Sequence, residues 1–284
     1  MKPIIKWAGG KTQSLKYIRK MLPSGWIRYY EPFLGGGALL LDFDIDIISS
    51  AVVNDINPEL MNMYVQVRDN VEEVIKCLTI MDDIHERSLE PKDYYYKVRS
   101  GFNKNLGTNT SEQAARLIYL NKHCFNGLYR VNSKGEFNVP FNGKLTGRSF
   151  DPDHLREVST KLKLVEFRQG DFKDAVYDAK EFDLVYFDPP YDYEREDGFV
   201  DYSDTGWTRA DTTKLKLLCD QLVDKGCYVM LSNNSTAFIR ELFNDDRYLI
   251  DEIPVRRAIN CKGTGRGSVP EVIIRSKNCI QNIC

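Results

Sequence analysis

The chain has 284 residues, 42% of them hydrophobic and 28% charged, with a formal net charge of −2. That balance excludes a disordered, collagenous or coiled-coil chain, and no stretch approaches the run of roughly 18 apolar residues that a membrane span needs. Three histidines and an odd set of seven cysteines, with no CxxC pair among them, argue against a zinc site and for reduced thiols. The opening MKPIIKWAGGK has no apolar core of a secretory signal, so a cytoplasmic protein is expected.

The elements are read in chain order. From residue 11 on, Leu15, Tyr17, Ile18, Met21 and Leu22 have the spacing of an amphipathic helix, stopped near Pro23. IRYYEPF reads as a short buried strand that runs at once into the glycine turn and apolar helix of LGGGALLLDF. Strand, glycine turn and helix make the first unit of an α/β nucleotide-type domain. SSAVVNDIN is a second strand ending at Asn54-Asp55, and Pro58 opens the next helix. Residues 58 to about 120 read as helical. The stretch from 124 to 149 is turn-rich, and Asn132-Ser-Lys-Gly135 marks a hairpin. The core resumes with KLVEFRQGDF, a strand ending at Asp171, and FDLVYFDPPY, a strand ending at Asp188. Residues 209–225 form a helix stopped by Gly226, CYVMLSNN is a further strand, and the tail beyond Arg275 reads as unstructured. These elements divide the chain into a core at 1–57 and 159–277, an insertion at 58–158, and a tail at 278–284.

Four strand ends therefore carry glycine or carboxylate: Phe33-Leu-Gly, Asn54-Asp55, Gly170-Asp171 and Asp188-Pro-Pro-Tyr191. In a parallel sheet, ligands sit at the carboxyl ends of the strands. The Phe33–Gly37 turn lacks the GxGxxG spacing of a dinucleotide site, which argues against a dehydrogenase. An acid about twenty residues on, Asp55, can hold two ribose hydroxyls, or it can cap a helix. Asp188-Pro189-Pro190-Tyr191 is the most informative run. Its prolines fix the chain and remove N–H donors, which leaves carbonyls to accept. The Asp188 carboxylate and the Pro189 carbonyl can together take both hydrogens of an exocyclic amine, while Tyr191 stacks on its ring. An adenine or cytosine amine is a poor nucleophile because its lone pair is delocalised. Two acceptors on its hydrogens bring it toward tetrahedral geometry, ready to capture a methyl group.

In their order along the chain, these motifs resemble those of the Dam-like D12 class (alpha group) of S-adenosylmethionine-dependent DNA adenine-N6 methyltransferases. The resemblance implies a Rossmann-like class I methyltransferase sheet with an inserted helical and hairpin target-recognition domain. Lys6-Trp7-Ala-Gly-Gly-Lys11 is similar to the family's N-terminal donor motif, where Trp7 and Lys11 would help hold the methyl donor. Phe33, Gly35 and Gly37 resemble its glycine turn, Asp55 its ribose carboxylate, and Asp171-Phe172 the pair that meets the donor's adenine. Asp188, Pro189, Pro190 and Tyr191 resemble its catalytic tetrad, with Asp188 also close to the donor. No metal is implied.

Within the insertion, Asn126-Gly-Leu-Tyr-Arg130 followed by Gly135-Glu-Phe-Asn-Val-Pro140 is similar to the recognition hairpin of members that read GATC. By that match Arg130 reads a guanine, Phe125 wedges beside a flipped base, and Asn126, Leu128 and Asn138 make further contacts. The run Asn142–Arg148 departs from the family pattern.

Charge is consistent with a duplex DNA partner. Residues 116–150 hold six basic side chains (Arg116, Lys122, Arg130, Lys134, Lys144, Arg148) against Glu136 alone, and 254–277 hold six against Glu271 alone. Such stretches can be solvated faces or two lips of a polyanion groove; the glycine-flanked run Arg256–Arg266 suits phosphate contacts, and acidic 192–204 reads as a lid near the flipped base. The expected partners are double-stranded DNA and a cognate restriction endonuclease, the latter not in physical complex, with the enzyme a monomer. The rival readings are an amino-methylating enzyme acting on RNA or on protein glutamine, and a DNA-binding module without catalysis.

Overall fold

The computed structural model describes residues 1–44, 50–193, 206–254 and 270–280. In chain order these residues form α1 (Leu15–Met21), β1 (Tyr29–Glu31), α2 (Ala38–Asp42), β2 (Ala51–Asp55), α3 (Pro58–Asp69), α4 (Val71–Arg87), α5 (Pro91–Lys104) and α6 (Ser111–His123). There follow α7 (Pro152–Leu162), β3 (Val165–Gln169), β4 (Leu184–Phe187), α8 (Arg209–Asp224), β5 (Tyr228–Asn234), α9 (Ala237–Leu242), β6 (Tyr248–Ile253) and β7 (Glu271–Ser276). Two compact units result: residues 1–10 with 34–171, and residues 11–33 with 172–284.

In the first unit β2 and β3 run parallel, from Ala51 opposite Val165 to Asp55 opposite Gln169. Proline supplies the first turn of α3, and the Asn57 side chain accepts from the N–H groups of Glu59 and Leu60. That combination satisfies the otherwise orphaned donors of a helix start. Helices α3 and α6 are buried almost all round, through Leu60, Met63, Tyr64 and Val67 on one and Ala114, Leu117, Ile118 and Tyr119 on the other. Polar ties reinforce this apolar packing. The Glu59 carboxylate accepts from Gln113 at 2.9 Å and from the Gly107 N–H at 2.6 Å. Asp82 accepts from both the backbone and the hydroxyl of Ser149, which fixes the end of the basic turn-rich stretch. Lys161 is buried and donates to the carbonyls of Leu41 and Phe43, closing the end of α2; burial pulls its ammonium below the usual lysine range. The expected insertion, 58–158, falls wholly inside this unit, where α3 packs on β2 and β3.

In the second unit the strand order is β1-β4-β5-β7-β6. β1, β4 and β5 are parallel, while β7 runs antiparallel to both β5 and β6. β4 and β5 are buried along their whole length, which is why they read as unbroken apolar runs rather than alternating ones. α8 begins in a capping box between Thr208 and Asp211 and ends at Gly226, whose φ of +86° is one that glycine adopts without steric cost. The unstructured tail is corrected here. β7 continues through Ser276 into a turn at Lys277–Cys279, where Asn278 donates to the Cys227 carbonyl at 3.0 Å and Cys279 is buried. These residues look like a polar terminus in sequence, but the start of β5 gives them hydrogen-bond partners at Cys227 and Val229.

Candidate active site

β4 delivers the run Asp188-Pro-Pro-Tyr191 in the second unit. Its last residue, Phe187, is fully buried, and the two prolines after Asp188 stop the ladder. Asp188 lies 2.7 Å from the ammonium of Lys11, and both side chains are largely enclosed. Lys11 also sits over the Tyr191 ring, 4.7 Å from its centroid. The Tyr191 hydroxyl donates to Glu271 at 2.6 Å. Burial pushes the Asp188 carboxyl up to about 6; Lys11 pulls it back down and the negative Glu271 adds to the rise. The group is therefore still ionised near neutral pH, and its surroundings make it an unusually receptive acceptor. The same unit brings Phe33 and Phe172 together as stacked rings at 5.4 Å, with Trp207 against both. Phe33 also meets Phe187, the residue before the tetrad.

The first unit gathers the other predicted residues. Gly35 donates its N–H to one oxygen of Asp55 and Asn57 donates to the other, each at 2.9 Å. Burial raises the Asp55 carboxyl, and these N–H groups oppose the rise. An ionised carboxylate has about four lone-pair sites, so capacity for hydroxyl donors remains. Gly35 and Gly37 have φ of +49° and +64°, and a Cβ on Gly35 would stand 2.8 Å from the Trp7 ring. Glycine is thus required there twice over, by backbone conformation and by space. Gly170 joins the same cluster through Asn54, whose amide donates to its carbonyl; the next residue, Asp171, is exposed.

The hairpin expected to contact DNA is in this unit too. Val131 bridges Phe137, and the Asn138 N–H donates to the Arg130 carbonyl at 3.0 Å. Asn132 shapes the tip by accepting from the N–H groups of Lys134 and Glu136. Arg130 is exposed and its Nε donates to the Asn138 side chain at 2.8 Å. Phe125 is 51% exposed, with its N–H on the Pro140 carbonyl. Asn126 takes a φ of +57°, a conformation asparagine tolerates better than most residues. Leu128 is half-buried. The base of the hairpin is anchored by buried Phe137 and Val139, by a two-way hydrogen bond between Asn103 and the Phe137 backbone, and by the Tyr95 hydroxyl on the Val139 carbonyl.

The family model for D12 class N6 adenine-specific DNA methyltransferases matches residues 7–259. The chain belongs to that family. Among its relatives are the type II methyltransferase M1.LlaDCHI of Lactococcus lactis subsp. cremoris, 37% identical over 96% of this chain and 95% of the relative, and M.MjaIII of Methanocaldococcus jannaschii, 39% identical over 94% and 95%. The DNA adenine methylase of Haemophilus influenzae is 33% identical over 96% of this chain and 92% of its own length. Family membership makes the chain an adenine-specific DNA methyltransferase on a class I methyltransferase fold, and it sets aside the RNA and glutamine readings. No helix among the described residues is long and apolar enough to cross a membrane.

Several residues of this methyltransferase escaped the sequence reading. Glu271 was counted only as the lone acid in a basic stretch, yet it holds Tyr191. Asn121 donates to the carbonyls of Lys6 and Gly127 and accepts from the Lys6 N–H, and Trp7 stacks on Tyr129 at 5.2 Å. Lys6 and Trp7 are thereby bolted to the hairpin, a link between residues more than a hundred positions apart that no local pattern reveals. Two expectations on charge change. Arg148 pairs with Asp83 and Glu86, and Arg116 with Glu112, so both guanidiniums are engaged by helix carboxylates. Asp192, read as part of a lid, is instead held fast. Arg209 grips it bidentately at 2.8 and 3.0 Å, Thr236 donates to it, and its N–H reaches Asn233. Residues 194–204 and the basic run Arg256–Arg266 lie outside the described residues. Among the described residues no group of three or more His, Cys, Asp or Glu converges as a metal would require.

Proposed function

We propose that this enzyme transfers a methyl group from S-adenosylmethionine to the N6 amine of an adenine rotated out of duplex DNA, within GATC or a related short site. The observation that carries this reading is the enclosed Asp188 at the end of β4, flanked by two prolines and framed by Lys11 and Tyr191. A base inside a duplex cannot reach such a seat. Extrusion costs a few kcal/mol, which stacking on Tyr191 partly recovers. Asp188 and the Pro189 carbonyl accept the two N6 hydrogens, and the prolines Pro189 and Pro190 keep that acceptor pair from moving.

The residues fit the donor. The glycine turn lets the Trp7 ring lie directly against the backbone at Gly35, where a Cβ would stand 2.8 Å from it. Asp55 would accept from ribose hydroxyls, Trp7, Gly35 and Gly37 would border the methionine part, and the family resemblance adds Lys11, Phe33, Asp171 and Phe172 as residues that would hold the donor. When bound, S-adenosylmethionine supplies the methyl carbon, whose bond to sulfur breaks as its bond to N6 forms. Asp188 stabilises the positive charge that grows on N6 and is the nearest base for the proton that N6 then loses.

Arg130 reads a guanine with the Nη pair that remains after its Nε is committed to Asn138. Phe125 fills the gap beside the flipped base, and Asn126, Leu128 and Asn138 frame it. The relatives named as type II methyltransferases support a restriction endonuclease as functional partner, and the enzyme acts as a cytoplasmic monomer. One experiment tests the whole reading: incubate unmethylated random-sequence duplex with labelled donor and map the label. N6-methyladenine confined to one short motif is expected. Label on RNA, on another base, or spread over all sequences overturns it.

A further inference from the structure

We infer that Glu271, the first residue of β7, is a positioning residue that locks Tyr191 in the orientation needed to receive the extruded base. The inference rests on the proposed role of the tetrad and deepens it. Tyr191 is followed by a firmly held residue but has no ladder hydrogen bonds of its own, since it follows two prolines beyond the end of β4. Its ring would turn about two side-chain bonds if its far end were loose. The hydroxyl is fixed by Glu271 at 2.6 Å, while Ser14 reaches both oxygens of the same carboxylate at 3.4 Å.

Glu271 is itself held in register. It stands opposite Asn234 in the β5–β7 ladder, and the Ser235 N–H donates to the Pro270 carbonyl beside it. Asn234 donates to the carbonyl of Asp192, and Asn233 accepts the Asp192 N–H. The ends of β5 and β7 thus grip the two residues that follow the prolines, Tyr191 by its hydroxyl and Asp192 by its backbone. A flat ring kept at a set angle lowers the ordering needed when a base stacks on it, which is the geometric preorganisation that speeds a bound reaction.

The carboxylate also acts at a distance. Asp188 is faced by Lys11 from the turn before α1, by Tyr191 from its own loop, by Tyr186 from β4, by Tyr29 from β1, which also meets Glu31, and by Glu271 from β7. Among these Lys11 and a hydrogen bond from Tyr191 oppose the rise of the Asp188 carboxyl, and Glu271 contributes to it. Removing the Glu271 charge therefore lowers the pH at which Asp188 titrates.

The test compares Glu271→Gln, Glu271→Ala and Asp188→Ala in the full chain, with labelled donor and unmethylated duplex DNA, after thermal melts establish folding. Glu271→Ala should lose roughly 10- to 100-fold in kcat with donor affinity unchanged. Glu271→Gln keeps an acceptor for the Tyr191 hydroxyl and should recover most of that loss, while the acid limb of its kcat–pH profile moves to lower pH. If Glu271→Ala turns over like the parent, or if both variants lose rate equally with no shift of the acid limb, Glu271 does not position Tyr191. If Asp188→Ala retains turnover, the tetrad reading itself fails. An inactive Asp188→Ala beside a fully active Glu271→Ala overturns only this inference. Should Glu271→Ala not fold, the glutamine variant alone decides through its pH profile.

Discussion

The tetrad at the end of β4 and the recognition hairpin at 124–142 solve opposite problems. The tetrad is enclosed and charged. Asp188 and Lys11 pair at 2.7 Å, and burial raises the carboxyl to about 6. Its order comes from side chains reaching in from several elements: Glu271, Arg209, Thr236 and Asn233. The hairpin is exposed at the positions that would meet DNA, Phe125 and Arg130. Its order comes from its own backbone, from the asparagine-made turn at Asn132, and from the buried root at Phe137 and Val139. A chemical seat gains from low dielectric, because charge effects weaken in water. A reading surface must stay wet until it meets its partner and must present side chains whose ionisation is already settled, as that of arginine is. The comparison teaches that rigidity is common to both sites and burial belongs to one.

Substitutions test that contrast. Asp188→Ala should reduce methyl transfer by about 1,000-fold or more while duplex binding changes little, because the lost interaction develops only as charge grows on N6. Filter binding beside a labelled-donor assay checks it, and a parallel loss of both would mean that the tetrad also serves as a binding surface. Arg130→Ala should leave the rate on the best site largely intact at saturating DNA but cost roughly 1–3 kcal/mol of discrimination at one guanine. A uniform weakening on every sequence would reduce Arg130 to a phosphate contact.

The pH profile gives the next effect. Below about 6 the Asp188 carboxyl takes a proton and can no longer accept, so kcat should fall about tenfold per unit there and level off above. Stability should move the other way. A carboxyl raised above its ordinary 3.8 makes its full contribution to folding below that value and loses it as pH climbs through about 6. Melting temperatures of the parent and Asp188→Asn across pH 4–8 would expose the opposition, and a parent–variant difference that does not change with pH would deny it. The smallest expected effect is at Tyr129. Tyr129→Ala removes the stack on Trp7, worth about 0.5–1.5 kcal/mol, and should weaken donor binding a few-fold by calorimetry and loosen the hairpin. A change in neither would mean that the donor motif and the hairpin are merely adjacent.

Much of the fold was legible because its signals are local. The buried runs YYE, AVVND, LVYF and YVMLSNN read as strands, and Pro58 and Gly226 marked helix ends through backbone chemistry that any context preserves. β6 and β7 went unread. YLIDEI alternates poorly and EVIIRS lies among basic residues near the terminus, so only pairing makes strands of them, β7 against β5 and β6 against β7. In the site, Asp188, Tyr191, Asp55 and the glycines announced themselves by type and by place at strand ends. Glu271, Asn121, Asn103 and Tyr95 did not, because each works through one partner far away in sequence.

The order of residues alone therefore determined the chemistry on offer: an acid followed by two prolines and an aromatic ring can grip an amine, and glycines with a spaced carboxylate can border a nucleoside. Those are properties of side-chain type and short backbone runs. Tertiary structure decided how that chemistry is tuned, which cation opposes Asp188, which carboxylate holds the tyrosine, and which arginines are taken up by helix acids. Such pairings depend on distance and burial in space, and no local spacing encodes them.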